Sequence, residues 1–339
     1  MRILSALFLT MSLAAQTPDA ASALKVVTDE AEAVLAILSA RQQGREPSEA
    51  QWQALFSSEG YRHLKAREAA IKRPFGDSFF REFVQSADLL KGAPALRETL
   101  AHWRSVDLQA SARKVLAYLP AGARIRATVY FVIKPQTNSF VFDLDRDPAV
   151  FMYLDPAVEP QKLENTVAHE LHHVGLQNVL NRRSAWKGGE GTPRDLARSY
   201  VGAFGEGFAM LAAAGGPDVH PHAVSPADRR TQWDKDMGRF AEDLREVDAF
   251  LLDVATGRLP PAAAQEKAMA TFWGRQGAWY TVGYRMARLI ETSFGRDHLL
   301  ACMEDLSKLL STYNEAARRH NQKGADILPL WSEALLAGL

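Results

Sequence analysis

One block of strand-forming residues, set between two long helical stretches, does most to limit the folds open to this chain. Ala127-Thr-Val-Tyr-Phe-Val-Ile133 is β-branched and aromatic and is bounded by Pro120-Ala-Gly122 and Pro135, the pattern of a buried strand. Ser139 to Phe142 and Ala149 to Leu154 are two further short candidates, with turns supplied by Asn138, Asp147-Pro148 and Asp155-Pro156. A sheet this small needs helices to bury it. The expected class is therefore α+β, predominantly helical, with a small sheet immediately ahead of the segment His169-Glu-Leu-His-His173.

The flanking stretches carry helical spacing. Val26 to Leu38 opens with Asp29, Glu30 and Glu32, whose charge suits the positive end of a helix. Gln51 to Ala70, Ser78 to Leu90 and Ala95 to Leu119 follow, separated by the breakers Pro74-Phe-Gly76 and Gly92-Ala-Pro94. Beyond the sheet, Leu163, Val167, Leu171 and Val174 share one side of a helix starting near Pro160, while His169 and His173 lie on another. Leu196 to Ala214 reads as a second helix, ended by Gly215-Gly-Pro217. Further helices are expected over Arg229 to Val254, Pro261 to Arg275, Ala278 to Phe294, Leu299 to Arg319 and Leu328 to Leu336. This divides the chain into a leader (1–23), a helical N-terminal region (24–120) and a domain carrying the histidine motif (121–339). His63 and His102 stand alone in the helical region and read as ordinary surface or core residues.

The leader is read from Met1-Arg2 and the apolar run Ile3 to Ala15, a short positive start before a brief apolar stretch and small residues. It predicts an exported protein, periplasmic or secreted, cleaved after Ala15 or after the Ala21-Ser22-Ala23 triplet; no stable membrane insertion is expected afterwards. The run is too short to span a bilayer comfortably. Cys302 is the single cysteine, so no intramolecular disulfide can form, and its apolar neighbours suit a small buried hydrophobe. Forty basic residues balance forty acidic ones, which excludes the basic excess that a nucleic-acid partner requires.

The chemistry concentrates at His169-Glu-Leu-His-His173. Residues four apart project from one helix face a turn apart, so His169 and His173 can bind one tetrahedral Zn²⁺. Glu170 lies at the flank of that pair, where a carboxylate can act as general base on a water without being a ligand. His172 is set aside as a packing or supporting residue. A catalytic zinc needs a third protein ligand and an open position. Glu206, in Tyr200-Val-Gly-Ala-Phe-Gly-Glu-Gly-Phe-Ala-Met210, is the only carboxylate in the apolar stretch Ser199 to Gly216, and a lone buried charge is costly unless paired or metal-bound. Gly205 and Gly207 beside it would let a helix or substrate approach closely. Glu190 is the reserve ligand, and His220 and His222 would give a three-histidine set. Ser199 or Asp195 is a candidate to orient a ligand histidine.

HExxH followed by a Glu on a second helix resembles the gluzincin metallopeptidases. The order of strand, HELHH helix, GEGFA helix and Trp279-Tyr-Thr-Val-Gly-Tyr-Arg-Met-Ala287 is also similar to bacterial families described as zinc-dependent peptidases of unknown function. The likeness covers roughly residues 125 to 295. It departs from that pattern at Gly175, where a hydrophobic residue is common, and in the long interval between His173 and Glu206. The resemblance implies a zincin-like core, a peptide or protein substrate, and an oxyanion-stabilising side chain. Tyr280 and Tyr284, four apart, are candidates for that role, with His298 as an alternative. It also implies that the strand before the metal helix, Val150 to Leu154, lines the cleft and bonds an extended peptide. The alternatives are a zinc amidohydrolase acting on a non-peptide substrate and a non-catalytic exported zinc-containing binding protein. An intact Glu170 speaks against the latter.

Overall fold

The computed structural model describes residues 21–182, 191–274, 276–324 and 326–339. The leader expected over residues 1–23 lies almost wholly outside these, as does Glu190. A strand the helical reading missed comes first: β1 (Ser22–Val27). Six helices follow, α1 (Asp29–Gln42), α2 (Glu49–Ser57), α3 (Glu59–Ala70), α4 (Asp77–Val84), α5 (Ala87–Arg104) and α6 (Leu108–Leu116). Then come β2 (Ile125–Val132), β3 (Phe140–Phe142) and β4 (Ala149–Tyr153). The second helical half comprises α7 (Pro160–Arg182), α8 (Pro193–Val201), a 3-10 turn (Gly202–Phe204), α9 (Gly205–Ala214), α10 (Ala227–Met237), α11 (Phe240–Ala255), α12 (Pro261–Thr271), α13 (Ala278–Phe294), α14 (Arg296–Glu304), a second 3-10 turn (Leu306–Lys308), α15 (Leu309–Asn321) and α16 (Glu333–Gly338). The protein is a predominantly helical α+β fold, as its sequence indicates.

The sheet has strand order β1-β2-β4-β3, with β1, β2 and β4 parallel and β3 antiparallel at one edge. Because β1 pairs with β2 along its length, the N-terminal helices and the histidine-bearing half share one sheet and one continuous core. The missed strand has a simple cause. Only its last residue, Val27, is buried, so it lacks the apolar signature of β2. Alternate residues of β2 face opposite layers. Tyr130 stacks on His63 of α3 at 5.3 Å between ring centroids. Ile125 faces α7, where a Cβ on Gly175 would stand 2.2 Å from Leu119 Cδ1 and 3.3 Å from Ile125 Cγ1. Glycine at 175, in place of the expected hydrophobic residue, is what lets Leu119 seat against α7.

Helix ends differ from those expected, and two expected helices are broken. Pro94 is carried inside α5 rather than ending it. The stretch from Leu196 to Ala214 changes direction at the 3-10 turn Gly202–Phe204, and the stretch from Arg229 to Val254 divides at Gly238-Arg239. The first break matters most, because it lets Glu206 open a new helix.

Candidate metal centre

Two close helix contacts build the site. α7 packs on α9, where Asn165 Nδ2 donates to the Ala213 carbonyl at 3.0 Å and Leu176 Cδ2 comes within 3.7 Å of the Cβ position of Gly205. α9 in turn crosses α13 through glycines on both sides. A Cβ on Gly207 would meet the Tyr284 backbone nitrogen at 2.0 Å, and one on Gly283 would meet the Phe204 carbonyl oxygen at 2.7 Å. Gly207 and Gly283 therefore let two backbones touch, which presses Glu206 and Tyr280 toward α7. Gly205 was expected to share that role, but its Cβ position has ordinary room.

On α7, His169 Nε2 and His173 Nε2 lie 3.1 Å apart. Glu206 Oε2 lies 3.1 Å from the first and 3.2 Å from the second. The three donor atoms form a nearly equilateral triangle. Ligands at about 2.0–2.1 Å from a tetrahedral zinc are separated by roughly 3.3 Å, so this is close to one face of such a tetrahedron. His169, His173 and Glu206 are the group of metal-capable side chains found among the described residues. Two imidazoles and one carboxylate also match the donor preferences of zinc.

The electrostatics favour a cation there. Burial works against a charge on Glu206, yet His173 and His169 outweigh it and hold the carboxyl well below its usual range. Burial likewise disfavours charge on His173, but Glu206 overrides it and lifts the imidazole to about 9. A cluster that draws a positive charge onto a buried histidine is one into which a metal ion fits.

Glu170 is only 9% exposed and sits beside the triangle without joining it. Burial raises its carboxyl, partly offset by His169 and His173. Tyr280 stacks on His169 with centroids 6.3 Å apart and planes 13° from parallel. Burial holds its phenol well above the ordinary range, helped by the charges of Glu206 and Glu170 and by a bond to Glu206.

Other sequence-derived candidates fall elsewhere. Tyr284, expected as an alternative to Tyr280, turns away: its ring packs edge-on against Trp233 at 5.4 Å and its hydroxyl faces the Val219 carbonyl. Four residues advance a helix by about 400°, yet α13 crosses the site obliquely, so only one of the pair can reach it. His172 is fully buried near the Tyr118 backbone, and burial pushes its imidazole down to about 3. It packs as a neutral ring. His220 and His222 bond to Asp234 and Gln276 instead of joining the donor triangle. His298 packs on Phe294, Ser199 bonds back to the Leu196 carbonyl, and Asp195, whose N–H donates to the Thr192 cap of α8, pairs with Arg198; none orients a ligand imidazole.

Of the expected Val150 to Leu154, Val150 and Phe151 are already paired on both sides and offer no edge to a peptide strand. β4 is interior, paired with β2 on one side and with β3 on the other. The edge strands are β1 and β3, and β3 is the one next to β4. The β3–β4 turn lies along α7, with Gln177 and Asn181 both donating to Asp145 Oδ1 at 3.0 and 2.9 Å. Gln177 stands one turn beyond His173, so this edge lies on the metal side of the helix.

Fold and side chains together define an α+β protein with a group of three donors that could hold a metal ion and a buried carboxylate beside them. Residues 41–322, well over half of the chain, match the model of a family described as "Putative zinc dependent peptidase (DUF5700)", and the chain belongs to that family. No curated protein and no solved structure matches it. Family membership supports a zinc-dependent hydrolase at that coarse level.

Proposed function

We propose that the protein is an exported zinc peptidase in which His169, His173 and Glu206 hold the metal and Glu170 is the general base. The observation that carries this reading is the triangle of donor atoms with edges of 3.1, 3.1 and 3.2 Å, with Glu170 buried at its side. Zinc in such a site supplies Lewis acidity and brings a coordinated water's acidity close to neutral pH.

The chain's own residues do the rest. Glu170, made more basic by burial, accepts a proton from the attacking water and passes it to the leaving amine. Tyr280 stays protonated across the physiological range and so remains a hydrogen-bond donor to the oxyanion that develops at the carbonyl. Leu171, Val174 and Phe208 are fully or almost fully buried behind the site and fix α7 and α9 in place. The antiparallel edge β3, alongside the metal face of α7, is the backbone to which an extended substrate adds, in a zincin-like arrangement.

Export rests on the leader, and β1 sharpens where processing falls. Cleavage after Ala15 leaves β1 whole, whereas cleavage after Ala23 would remove its first two residues and the Ala21 carbonyl that accepts from Ile125 N. Among the described residues no helix is long and apolar enough to cross a membrane. N-terminal sequencing of the mature protein tests this.

The decisive experiment measures zinc content and hydrolysis of a mixed peptide library by wild type, Glu170→Gln and Glu206→Ala. The reading expects stoichiometric zinc in wild type and Glu170→Gln, cleavage only by wild type, and weakened zinc binding in Glu206→Ala. A wild type that holds zinc and cleaves no peptide would instead support a binding protein or an amidohydrolase of other substrates.

A further inference from the structure

β3 is the shortest strand of the sheet, three residues long, and different layers of the fold hold it at its two ends. After it, the turn into β4 is tied to the metal helix, where Gln177 and Asn181 of α7 both donate to Asp145 Oδ1. Before it, the chain leaves β2 through residues 133–139, and the grip there comes from Lys134. This residue is only 2% exposed. Its ammonium donates to the Gln136 carbonyl and, at 3.0 Å, to Asn138 Oδ1, both within the segment that leads into β3. It also lies 5.3 Å from the ring centroid of Phe140, the first residue of β3, and 5.6 Å from that of Tyr153, the last of β4. Ser139 Oγ adds a further tie, accepting from Tyr153 N at 3.3 Å.

Stability alone does not call for a lysine here. Among the described residues its ammonium makes no ion pair with a carboxylate, and its bonds are to two neutral oxygens. The buried acids of this layer are engaged elsewhere: Glu68 of α3 pairs with Arg67 and Arg73, and Glu30 of α1 accepts from Ile133 N. A buried charge of this kind costs stability that a well-packed apolar residue of similar size does not. What an apolar side chain lacks is the means to bond the Gln136 carbonyl and Asn138, and so to fix the path of the segment. Phe140 itself is set against Phe151 of β4, with centroids 5.0 Å apart, and Arg67 of α3 lies 4.0 Å over its ring. A three-residue edge has few ladder bonds of its own, so its place depends on these side-chain contacts.

We propose that Lys134 is a positioning residue, which ties residues 136–138 to the end of β2 and so holds the outer backbone of β3 ready for a peptide substrate to add to the sheet. It touches neither the substrate nor the donor triangle. α7 fixes one end of the edge through Asp145, and Lys134 fixes the other. An edge ordered beforehand removes that ordering penalty from peptide binding. This inference rests on the peptidase reading with β3 as its substrate edge, and its test separates the two.

Two variants break the tie from opposite sides: Lys134→Met, which keeps most of the side-chain bulk, and Asn138→Ala, at an exposed position. Hydrogen exchange read by mass spectrometry follows residues 136–142, and hydrolysis of fluorescein-labelled casein gives KM and kcat. Exchange in that segment should rise in both variants, while α7 and β2 stay protected and zinc content is unchanged. With the edge ordered about a tenth of the time, KM rises about tenfold and kcat stays within a factor of about two of wild type. The double variant should lose little more than Lys134→Met alone, because both act through one bond. Exchange that rises in neither variant overturns the proposal, as does an unchanged KM where exchange has risen, or a loss confined to kcat. Should Lys134→Met fail to fold, Asn138→Ala carries the same comparison. A wild type that cleaves no casein removes the peptidase reading. Anisotropy of labelled casein with zinc-loaded Glu170→Gln protein, with and without Asn138→Ala, then decides the edge: weaker binding in the variant supports it, and equal or absent binding overturns it.

Discussion

Two groups of buried charges occupy this fold, and they are resolved in different ways. Near the sheet and the N-terminal helices, Glu30, Glu68 and Lys134 are almost fully buried. Each meets a partner within the protein: Glu30 Oε2 accepts from Ile133 N at 2.9 Å, Glu68 pairs with Arg67 and Arg73, and Lys134 bonds to the Gln136 carbonyl and Asn138 Oδ1. At the α7–α9–α13 junction, two imidazole nitrogens and a carboxylate oxygen converge instead on one another's lone pairs. The first arrangement is closed by the chain itself. In the second the donor atoms face a common point, where a cation would fit. Burial alone therefore does not mark a functional cluster; the marker is donor atoms aimed at a common point.

The comparison is sharpened most by separating metal binding from chemistry. Glu170→Gln should lower kcat about 10²- to 10⁴-fold while zinc content, measured by atomic absorption, stays stoichiometric. A variant that loses zinc would make Glu170 a ligand and undo its assignment as base.

Next in size is the helix crossing that carries the site. Gly207→Ala places a Cβ 2.0 Å from backbone that cannot swing aside, so we expect a loss of about 3 kcal/mol or more in denaturant unfolding. Gly205→Ala, with its nearest contact at 3.7 Å, should cost far less.

Tyr280→Phe should then cost about 10²-fold in kcat with KM little changed, the loss typical of one oxyanion donor. An unchanged kcat would leave His169 stacking as the ring's only role.

The N-terminal cluster predicts a pH effect without a catalytic one. Burial pushes Glu30 up to about 8, so the folded state keeps a proton that the unfolded chain releases near pH 4.5. Its contribution is fully present below about 4.5 and is lost as pH rises toward 8. Glu30→Gln should flatten this fall, worth about 3 kcal/mol between pH 5 and pH 8 in urea titrations. Equal pH slopes for the two proteins would show that Glu30 titrates normally. The smallest effect is expected at Tyr284→Phe, which removes one long hydroxyl contact outside the site and should leave kcat within a factor of about two.

Much of this arrangement was legible in the residues themselves. The i, i+4 spacing of His169 and His173 on a helix is local geometry, and Glu206 stood out because a lone carboxylate in an apolar stretch needs a reason to be there. β2 announced itself by β-branched and aromatic residues, and the α+β class followed from it. Other features had no local signal. β1 is mostly exposed and polar enough to pass for a helix start, and only pairing with Ile125–Val132 makes it a strand. Which strands stand at the sheet edges depends on strand order, and β3 rather than β4 takes the edge on that side. Tyr280 and Tyr284 are equivalent in spacing, and the Gly207–Gly283 crossing chose between them.

The sequence by itself determined the fold class and pointed to the candidate donors and the proposed base, because those signals lie in residue type and local spacing. The tertiary structure decided which phenol faces the centre and which strands stand at the sheet edges. Those depend on where separate helices cross, and a crossing is fixed by the side chains that are small enough to allow it.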